Sequence, residues 1–358
     1  MRVLAVNTGS SSVKLRLVGD GDELLAENDA GAEGADVDAD ALAGAIAGMG
    51  EADAIAHRFV HGGERTEAAV LDGDVRAELE RLAPLAPLHQ PKALAAADAV
   101  ARALPRLPAV ACFDTAFHAH LPPEAATYAL PGAWRERFRL RRYGFHGLSH
   151  GYAAGRAREL LGLGGDAGIV TCHLGAGASL AAVRGGRSLD TTMGFTPLEG
   201  IVMATRSGSV DPGLVLWLLD QGLSTREVQE GLEKQSGLLG LAGTADMREV
   251  LARDDDDAEL ALGVYLHRLT AGVAAMAAAL SGIDAIVFTG GVGERSAAVR
   301  SRASRGLAFL GVVLDEARNA DAAGDADIGA EGAAAGAAVV AAREDLEMAR
   351  QVRAVLAG

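Results

Sequence analysis

Lysine, aromatic residues and cysteine are all scarce in this 358-residue sequence. Lysine occurs three times (Lys14, Lys92 and Lys234), aromatic residues make up 4% of the chain, and cysteine occurs twice. No G-x-x-x-x-G-K-[ST] segment is present, which excludes a P-loop nucleotide site. No strand is followed by G-x-G-x-x-G either, which excludes the usual dinucleotide fingerprint. A core so poor in aromatic residues must consist mostly of Ala, Val and Leu, which suits layered α/β structure.

Basic residues are also in the minority, because 33 Lys and Arg stand against 48 Asp and Glu, for a net charge of −15. Nucleic-acid binding needs an excess of basic residues, so this balance argues against a nucleic-acid partner.

Cys112 and Cys172 each lie in a short apolar run, which predicts two buried thiols rather than a disulfide. The first residues enter a strand directly, without a targeting segment, and Ala-rich stretches such as 271–280 are too short and interrupted to span a bilayer. We therefore expect a cytoplasmic protein with no membrane partner.

Apolar runs and their spacing predict alternating strands and helices, over enough residues for two domains. The predicted strands are two within 3–18, followed by 55–61, 109–113, 169–173, 179–183 and 285–288. The predicted helices are 92–104, 152–161, a long helix that follows the acidic run 254–257 and reaches about 281, and further helices that close the chain. A loop with one short helix is expected within 20–53.

One pattern occurs twice in the sequence. Residues 3–18 run strand, N-T-G-S-S-S, strand, and residues 169–183 run strand, H-L-G-A-G-A-S, strand. A third turn of small residues, 290–293, also follows an apolar strand. Glycine lets backbone amides approach an anion closely, so three such turns favour a nucleotide site. The repeat itself favours a fold made of two related α/β halves.

Two arginines lie in apolar or small surroundings. Arg58 occurs in H-R-F-V-H-G-G and Arg206 in M-A-T-R-S-G-S. A buried arginine without a partner is costly. Each arginine therefore either forms a structural salt bridge with a core Asp or offers its planar fork to carboxylate and phosphate oxygens. For each residue taken alone, the sequence leaves both alternatives open.

His146, Asp114 and Glu344 are further candidates for a site. His146 lies in Y-G-F-H-G, where either a hydrogen-bonded core histidine or an active-site histidine fits. Asp114 follows a strand, a position typical of helix caps, catalytic bases and magnesium ligands in α/β enzymes. His118 and His120 have no carboxylate or cysteine at ligand spacing, which disfavours zinc.

Taken in order, these segments resemble the acetate kinase family. The matching blocks are VNTGSSSVK (6–14), HRFVHGG (57–63), LAPLHQP (85–91), FDTAFH (113–118), RRYGFHGLSH (141–150), CHLGAGAS (172–179), DTTMGFTPLEGIVMATRSGSVDPG (190–213) and FTGGVGERS (288–296). They span nearly the whole chain in family order, and the block that begins at 190 is highly specific.

The resemblance implies an α/β protein with the duplicated two-domain fold of actin, Hsp70 and the sugar kinases, with a cleft between the domains. We expect a first domain of residues 1–118 joined by 345–358, and a nucleotide-binding domain of 119–344. The implied reaction is the reversible transfer of a phosphoryl group from ATP to acetate, giving acetyl phosphate and ADP. The implied metal is Mg²⁺, with Mn²⁺ as the alternative, and the implied assembly is a homodimer.

The resemblance also implies roles for individual residues. Arg58 and Arg206 resemble the arginines that bind the carboxylate and the transferring phosphate, and His146 resembles the histidine that stabilises that phosphate. Asp114 resembles the active-site acid beside them. The other implied residues are Asn7 and Glu344 at the magnesium site; Asn7, Ser10, Ser12 and Lys14 in the N-terminal signature; Val60, Leu88, Phe145 and Pro197 around the methyl group; and, at the nucleotide, Lys14, His173, Leu174, Gly175, Ala176, Gly177, Asp246, Met247, Arg248, Gly290, Gly291, Val292 and Gly293.

Three features depart from the family pattern. Ala176 replaces an asparagine in the family's HLGNG, and Arg295 replaces an asparagine in its GENS. The stretch after residue 18 is shorter than usual. These departures bear on phosphate affinity and turnover more than on the type of reaction.

Three other functions compete with acetate kinase. A kinase for propionate or butyrate is the nearest; Val60 and Leu88 give no sign of an enlarged pocket, but one methylene is worth only about 1–3 kcal/mol. A non-catalytic nucleotide-dependent clamp on the same fold would have no use for two buried arginines and a methyl pocket. A pyrophosphate-using kinase is disfavoured, because the small residues Gly291 and Val292 leave room for adenosine.

Overall fold

The computed structural model describes nearly the whole chain, namely residues 1–9, 12–31, 38–87 and 89–357. These residues form two compact units. The first unit contains residues 1–119, 145–152 and the segment that begins at Arg343, and the second contains residues 120–144 and 153–342. The domains expected from the sequence differ from these units, because 145–152 pack with the first unit and the chain returns to it at Arg343 rather than at 345.

The elements alternate along the chain. The strands are β1 Val3–Thr8, β2 Ser12–Val18, β3 Leu24–Gly31, β4 Ala54–Phe59, β5 Ala69–Val70, β6 Ala109–Phe113, β7 Gly168–Leu174, β8 Ala178–Arg184, β9 Arg187–Thr191, β10 Ala285–Thr289, β11 Ala326–Asp327 and β12 Gly336–Val339. The α-helices are α1 Ala39–Ala47, α2 Gly73–Arg81, α3 Gln90–Ala103, α4 Pro123–Ala126, α5 Gly132–Phe138, α6 Gly147–Leu160, α7 Pro212–Asp220, α8 Thr225–Lys234, α9 Gly237–Ala242, α10 Met247–Ala252, α11 Asp256–Ala279, α12 Gly290–Arg295, α13 Ala297–Arg305, α14 Glu316–Asp321 and α15 Glu344–Ala357. Short 3-10 turns occur at Ala83–Leu85, Ala116–His118 and Ala308–Leu310.

Each unit is built on one sheet, and the two sheets share a topology. The first has the order β3-β2-β1-β4-β6-β5, and the second, read in the matching direction, has the order β9-β8-β7-β10-β12-β11. The three central strands are parallel in both: β1, β4 and β6 in the first, and β7, β10 and β12 in the second. The remaining strands pair antiparallel in both sheets. The expectation of two related α/β halves is therefore confirmed.

Strand β1 of the first sheet is buried on both faces, as expected for a central strand of a parallel pair. Residues Val3 to Val6 of β1 are at most 2% exposed. Leu4 and Val6 belong to a cluster with Leu42 of α1 and Val100 of α3. Helix α15 contacts β1, β4 and β6, so the C-terminal segment of the chain completes this unit.

The second sheet is covered by the longest helix, α11. Asp255 caps α11 by accepting from the amide of Ala258, and Asp256 and Asp257 lie in its first turn, which confirms that the acidic run caps a long helix. By length and composition alone α11 could cross a membrane. Leu262, Leu269 and Val273 are buried, however, and α11 contacts β7, β8 and β9. A core helix passes the same test, so α11 is weak evidence for a membrane span.

The predicted strands and helices correspond to observed ones, but five observed strands were not predicted, namely β3, β5, β9, β11 and β12. Strand β3 lies within 20–53, where only a loop and a short helix were expected; Leu24 and Leu25 are 42% and 48% exposed, so this edge strand carries no buried alternation. Strand β11 has two residues, and β12 is Ala-rich, so neither has a periodic signal. Cys112 and Cys172 are free and buried, as predicted.

Candidate active site

The carboxyl ends of adjacent parallel strands bring Asn7, Arg58 and Asp114 together at one edge of the first sheet. Asn7 lies near the end of β1, Arg58 near the end of β4, and Asp114 directly follows β6. Strand β4 pairs in parallel with both β1 and β6, so residues far apart in the chain meet there. Glu344, the first residue of α15, joins them from the C-terminal segment.

Arg58 is the centre of this cluster. Its Nε and Nη2 atoms donate to the two carboxylate oxygens of Asp114, at 2.9 and 2.7 Å. Its Nη1 atom donates to Oδ1 of Asn7 at 3.0 Å and to Oε2 of Glu344 at 3.2 Å. A bidentate pair fixes the plane of a guanidinium group. For Arg58, the salt bridge that the sequence left open is therefore present.

Burial and charge have opposite effects on the pKa values of Arg58 and Asp114. Burial by itself lowers the pKa of Arg58, but attraction to Asp114 and Glu344 raises it above the ordinary value for arginine. The Asp114 side chain is 1% exposed, and burial raises the pKa of its carboxyl while Arg58 acts in the opposite direction. Both oxygens of Asp114 accept from Arg58, so this carboxylate is placed to hold the arginine rather than to remove a proton.

His146 is held beside Asp114 through its backbone. The His146 amide donates to the Asp114 carboxylate, and the Gly147 amide donates to the Asp114 carbonyl at 3.0 Å. His146 has a φ of 55°, in the left-handed region that few residues other than glycine adopt. Such a conformation persists only where the surroundings impose it. The half-buried His146 therefore lies on a strained turn next to the Arg58 cluster.

His118, for which the sequence disfavours a role as a zinc ligand, supports the turn that carries His146. Its Nε2 atom contacts the carbonyl of Phe145 at 3.0 Å, and burial lowers its pKa to about 4. Among the residues that the structure describes, no group of three His, Cys, Asp or Glu side chains could hold a metal ion. His118 therefore acts as a neutral core histidine that fixes the segment carrying Phe145 and His146.

The residues predicted around the methyl group fall in both units. Val60 and Phe145 are buried in the first unit, where the ring of His61 packs edge-on against Phe145 with 5.7 Å between centroids. Burial lowers the pKa of His61 to about 4, so it is neutral at pH 7. Pro197 belongs to the second unit. Leu88, like Ser10 of the N-terminal signature, lies outside the described residues.

Arg206 lies in the second unit, in a loop between β9 and α7. Its Nη1 atom donates to the carbonyl of Pro197 at 3.1 Å, and within the described part of the chain it forms no ion pair. Burial lowers the pKa of Arg206, and the charge of Glu233 acts in the opposite direction. A partly buried cation whose fork is not bound to a carboxylate is suited to bind an anion. The two arginines thus differ: Arg58 is paired with Asp114, whereas Arg206 pairs with no carboxylate among the described residues.

Two of the predicted phosphate turns follow adjacent parallel strands of the second sheet. Residues 175–177 follow β7, and Gly290 follows β10. The amide of Gly175 donates to the carbonyl of Gly177 at 3.1 Å. Gly290 has a φ of 77°, and a Cβ there would lie 2.9 Å from the carbonyl oxygen of Leu174, so only glycine fits. His173 and Leu174 end β7, and Gly291, Val292 and Gly293 continue from Gly290 into α12.

A cavity of about 740 Å³ opens beside these turns, in the size range of small-molecule sites. Ala176, Gly291 and Val292 line it, together with Asp246, Met247 and Arg248. Arg248 donates to Asp246 at 2.5 Å, and the hydrogen bonds from Arg248 lower the pKa of Asp246 to about 2. The structure thus places Asp246, Met247, Arg248, Gly291 and Val292 in one cavity with Ala176. Gly293, also predicted at the adenosine, is buried in α12 and does not line the cavity.

Some lining residues were not predicted as binding residues. Leu238, Tyr265 and Arg295 also line the cavity. Arg295 was noted only as a departure from the family; its side chain is exposed and forms no ion pair with any residue the structure describes. Leu238 and Tyr265 come from helices whose apolar residues give no sequence signal for binding. Lys14, which was predicted to bind nucleotide, is exposed on β2 directly opposite Asn7.

Comparisons with known proteins agree on one family. The model of the acetokinase family matches residues 39–350. An acetate kinase from Deinococcus deserti is 48% identical over 323 residues, which cover 88% of this chain and 81% of that protein. One from Streptomyces coelicolor is 43% identical over 394 residues, covering 99% of this chain and 97% of that protein.

Solved structures give the same result. The crystal structure of Porphyromonas gingivalis acetate kinase is 34% identical, has a TM-score of 0.89 and covers 99% of both chains. A propionate kinase from Francisella tularensis is also 34% identical, with a TM-score of 0.89 and 98% coverage of both chains. The shared fold extends over the whole chain, and the matches in sequence and structure show that this chain belongs to the acetokinase family.

Proposed function

We propose that this chain is an acetate kinase that transfers the terminal phosphoryl group of ATP to acetate, reversibly and with magnesium. The observation that carries most weight is Arg206, a partly buried cation that forms no ion pair with the described residues. The same loop is joined to the phosphate turn, because the Ala204 amide donates to the Ala176 carbonyl at 3.1 Å. A free guanidinium fork fixed relative to a nucleotide cavity is what phosphoryl transfer requires.

The proposed reaction gives each side chain of the candidate site a separate role. Acetate is already ionised at neutral pH, so its carboxylate attacks phosphorus without a general base. The protein's task is to position the reactants and to neutralise charge that spreads over the phosphoryl oxygens. Arg206 and His146 serve the transferring phosphoryl group, and Arg58 serves the carboxylate. Asp114 orients Arg58. The family resemblance assigns the methyl group to Val60, Leu88, Phe145 and Pro197.

Asn7 and Glu344 fit a magnesium site in their chemistry. Amide and carboxylate oxygens are ligands that Mg²⁺ accepts, and the ion usually keeps waters and binds phosphates as well. Nδ2 of Asn7 donates to Oε2 of Glu344 at 2.5 Å, so the two side chains are already adjacent. A bound Mg²⁺, or Mn²⁺ in its place, supplies positive charge to the nucleotide phosphates.

The nucleotide is assigned to the second unit. Gly175, Ala176, Gly177 and Gly290 are assigned to its phosphates, with His173 and Leu174 as supporting residues; Lys14, which the family resemblance also assigned to the nucleotide, belongs to the first unit. Asp246, Met247, Arg248, Gly291, Val292 and Gly293 hold the adenosine. The cavity size and the paired charges of Asp246 and Arg248 support this assignment.

We also propose a cytoplasmic homodimer. Helix α7 is rich in apolar residues, yet none of them is buried. Leu216 and Trp217 are 64% and 55% exposed, and Trp134 and Phe138 elsewhere in the same unit are 55% and 54% exposed. Large exposed apolar side chains of this kind mark interaction surfaces, so a second copy of the chain is the proposed partner.

The activity can be tested by incubating the protein with ATP, magnesium and hydroxylamine, with acetate, propionate or butyrate as acceptor. We expect acetyl hydroxamate to form fastest. Propionyl hydroxamate as the main product would assign the chain to the propionate kinases, a rival supported by the Francisella tularensis structure. No hydroxamate above a heat-killed control for any acceptor would refute the proposal.

Substitution of Val60 tests the acceptor pocket. Val60→Ala should raise the ratio of propionate to acetate activity by roughly tenfold, because it opens space for about one carbon. Val75→Ala is the matched control, since Val75 is buried in the same unit but lies in α2. The ratio is measured as kcat/KM for each acid. An unchanged ratio would show that Val60 does not line the pocket.

Substitution of Ala176 tests the first departure from the family pattern. An asparagine amide can donate to a charged phosphate oxygen, a contact worth about 1.5–3 kcal/mol, whereas alanine cannot. Ala176→Asn should therefore lower the KM for ATP by roughly tenfold or raise turnover. Unchanged kinetics would mean that another group already fills the role, and Arg295 of the same cavity is the candidate. Severe loss would mean that the turn has repacked around the methyl group.

A further inference from the structure

The loop that carries Pro197 and Arg206 is long and has no regular secondary structure. It connects β9, which ends at Thr191, to α7, which begins at Pro212. Loops of this length inside a compact unit are uncommon and are usually functional. The orientation of Arg206 depends on the Pro197 carbonyl, the acceptor of its side-chain hydrogen bond. Whatever fixes the segment before Pro197 therefore also fixes the arginine.

Glu199 fixes that segment through Tyr128. The Tyr128 hydroxyl donates to Oε2 of Glu199 and accepts from the amide of Phe195 at 2.9 Å. The phenol thus ties the loop at Phe195 to the loop at Glu199, on either side of Pro197. Burial, together with the hydrogen bond to Glu199, raises the pKa of Tyr128, so the phenol stays protonated and can donate.

Arg142 closes the same network from the other side. Its Nη2 atom donates to Oε1 of Glu199 at 2.9 Å, and its Nη1 atom donates to the carbonyls of Thr192 and Met193, at 3.2 and 3.0 Å. Both carboxylate oxygens of Glu199 are thereby used. The side chain of Arg142 is 17% exposed, so this is a partly buried, charge-assisted contact rather than a surface ion pair.

Gly194 packs tightly against the hydrogen-bond network of Tyr128, Glu199 and Arg142. A Cβ at Gly194 would overlap both Oε2 of Glu199 and the Tyr128 hydroxyl, so only glycine permits this approach. The Gly194 carbonyl in turn accepts from the amide of Tyr143 at 3.0 Å. The loop is therefore held by Tyr128 and Arg142, which lie outside it, and by its own residue Glu199.

We propose that Glu199, with Tyr128 and Arg142, is a positioning group that sets the orientation of Arg206 through the Pro197 carbonyl. The inference rests on the proposed function, because it assigns Arg206 to the transferring phosphoryl group. Glu199 itself does not touch the reactants. Loss of the network leaves the cation in place but lets its fork move, and a displacement of about 1 Å can cost roughly 10²-fold in rate.

The kinetic test compares Tyr128→Phe, Glu199→Gln and Glu199→Ala, each alone and combined with Arg206→Ala. We expect Glu199→Ala to lower kcat by about 10- to 100-fold with the KM for ATP changed less than threefold. Glu199→Gln keeps an oxygen that can accept from Tyr128, so its loss should be smaller. In the Arg206→Ala background the Glu199 substitutions should not lower kcat further, because the arginine side chain that Glu199 positions is absent. Losses that multiply in the double variants, or no loss in the single ones, would overturn the proposal.

Asp325→Ala is a matched control. Asp325 also joins an arginine side chain, Arg156, to a backbone amide, that of Ala341, in the same unit. Its removal should leave kcat near the parental value. A loss equal to that of Glu199→Ala would mean that any loosening of this unit lowers the rate, which contradicts a specific positioning role.

Hydrogen exchange gives a readout that does not depend on activity. Glu199→Ala should speed exchange of the Phe195 amide at least tenfold, while the amides of β7 and β10 keep their parental rates. Unchanged exchange at Phe195 would refute the positioning network. If the parental protein made no acyl phosphate from any of the three acids, the proposed function would fail, and exchange would still decide whether Glu199 holds the loop.

Discussion

Replacing Arg206 with alanine should lower the turnover of ATP and acetate by about 10³-fold or more, the scale on which arginine contributes to phosphoryl transfer. The reason is electrostatic: Arg206 is a cation without an ion pair among the described residues, so its charge is available to the phosphoryl oxygens. Among the described residues its removal breaks one side-chain hydrogen bond, to the Pro197 carbonyl, so the free energy of unfolding in urea should fall by no more than about 1.5 kcal/mol. Steady-state kinetics and urea unfolding of the same preparation measure both effects.

Two further variants define what Arg206 contributes. Arg206→Lys keeps the charge but loses the planar fork, so its turnover should lie between those of the parent and Arg206→Ala. Arg226→Ala is the surface control, because Arg226 is 85% exposed in α8 of the same unit and pairs with Glu230; it should leave turnover unchanged. A near-parental rate for Arg206→Ala would show that the residue is structural.

Arg58→Ala should also reduce turnover by about 10³-fold, but with a second consequence that Arg206→Ala lacks. Arg58 is the partner of Asp114, whose side chain is 1% exposed. Removing one member of a buried pair leaves the other unpaired, at a cost of about 3–5 kcal/mol in stability. Kinetics must therefore be measured at a temperature where urea unfolding shows the variant to be folded. A folded variant with near-parental turnover would remove Arg58 from the reaction.

The stability loss of Arg58→Ala should depend on pH. Without Arg58, burial raises the pKa of Asp114 further above its ordinary value of 3.8. An acid whose pKa is raised by folding stabilises the folded state below its unfolded-state pKa, and this contribution disappears as the pH rises through the folded-state value. The difference in unfolding free energy between parent and variant should therefore widen from pH 4 towards neutrality. A difference that is constant with pH would show that Asp114 keeps a low pKa through other partners.

The fold could be predicted wherever the sequence carries a strong local signal. Central strands such as β7 and β10 are continuous apolar runs, and the acidic run before α11 is a helix cap. Strand β3 could not be recognised, because its place in the sheet depends on pairing with β2 rather than on its own burial. The equivalence of the two halves was visible only in their hairpins, β1–β2 and β7–β8, and the rest required the order of strands in the sheets.

The two arginines show why the site was harder to predict than the fold. Both lie in similar surroundings in the sequence, and both alternatives were open for each. Asp114 pairs with Arg58 because β4 and β6 are adjacent, which is a fact of topology. The network around Glu199 was missed for the same reason, since Tyr128 and Arg142 lie more than 50 residues before it.

The most direct test of the proposed activity is to follow ATP, magnesium and acetate with this protein by ³¹P NMR. If the chain is an acetate kinase, the terminal phosphate signal of ATP should decline while ADP and acetyl phosphate rise in equal amounts. Adding ADP to acetyl phosphate should produce ATP in the reverse direction. The appearance of ADP with inorganic phosphate alone, at the same rate with and without acetate, would show a nucleotide hydrolase and contradict the proposal.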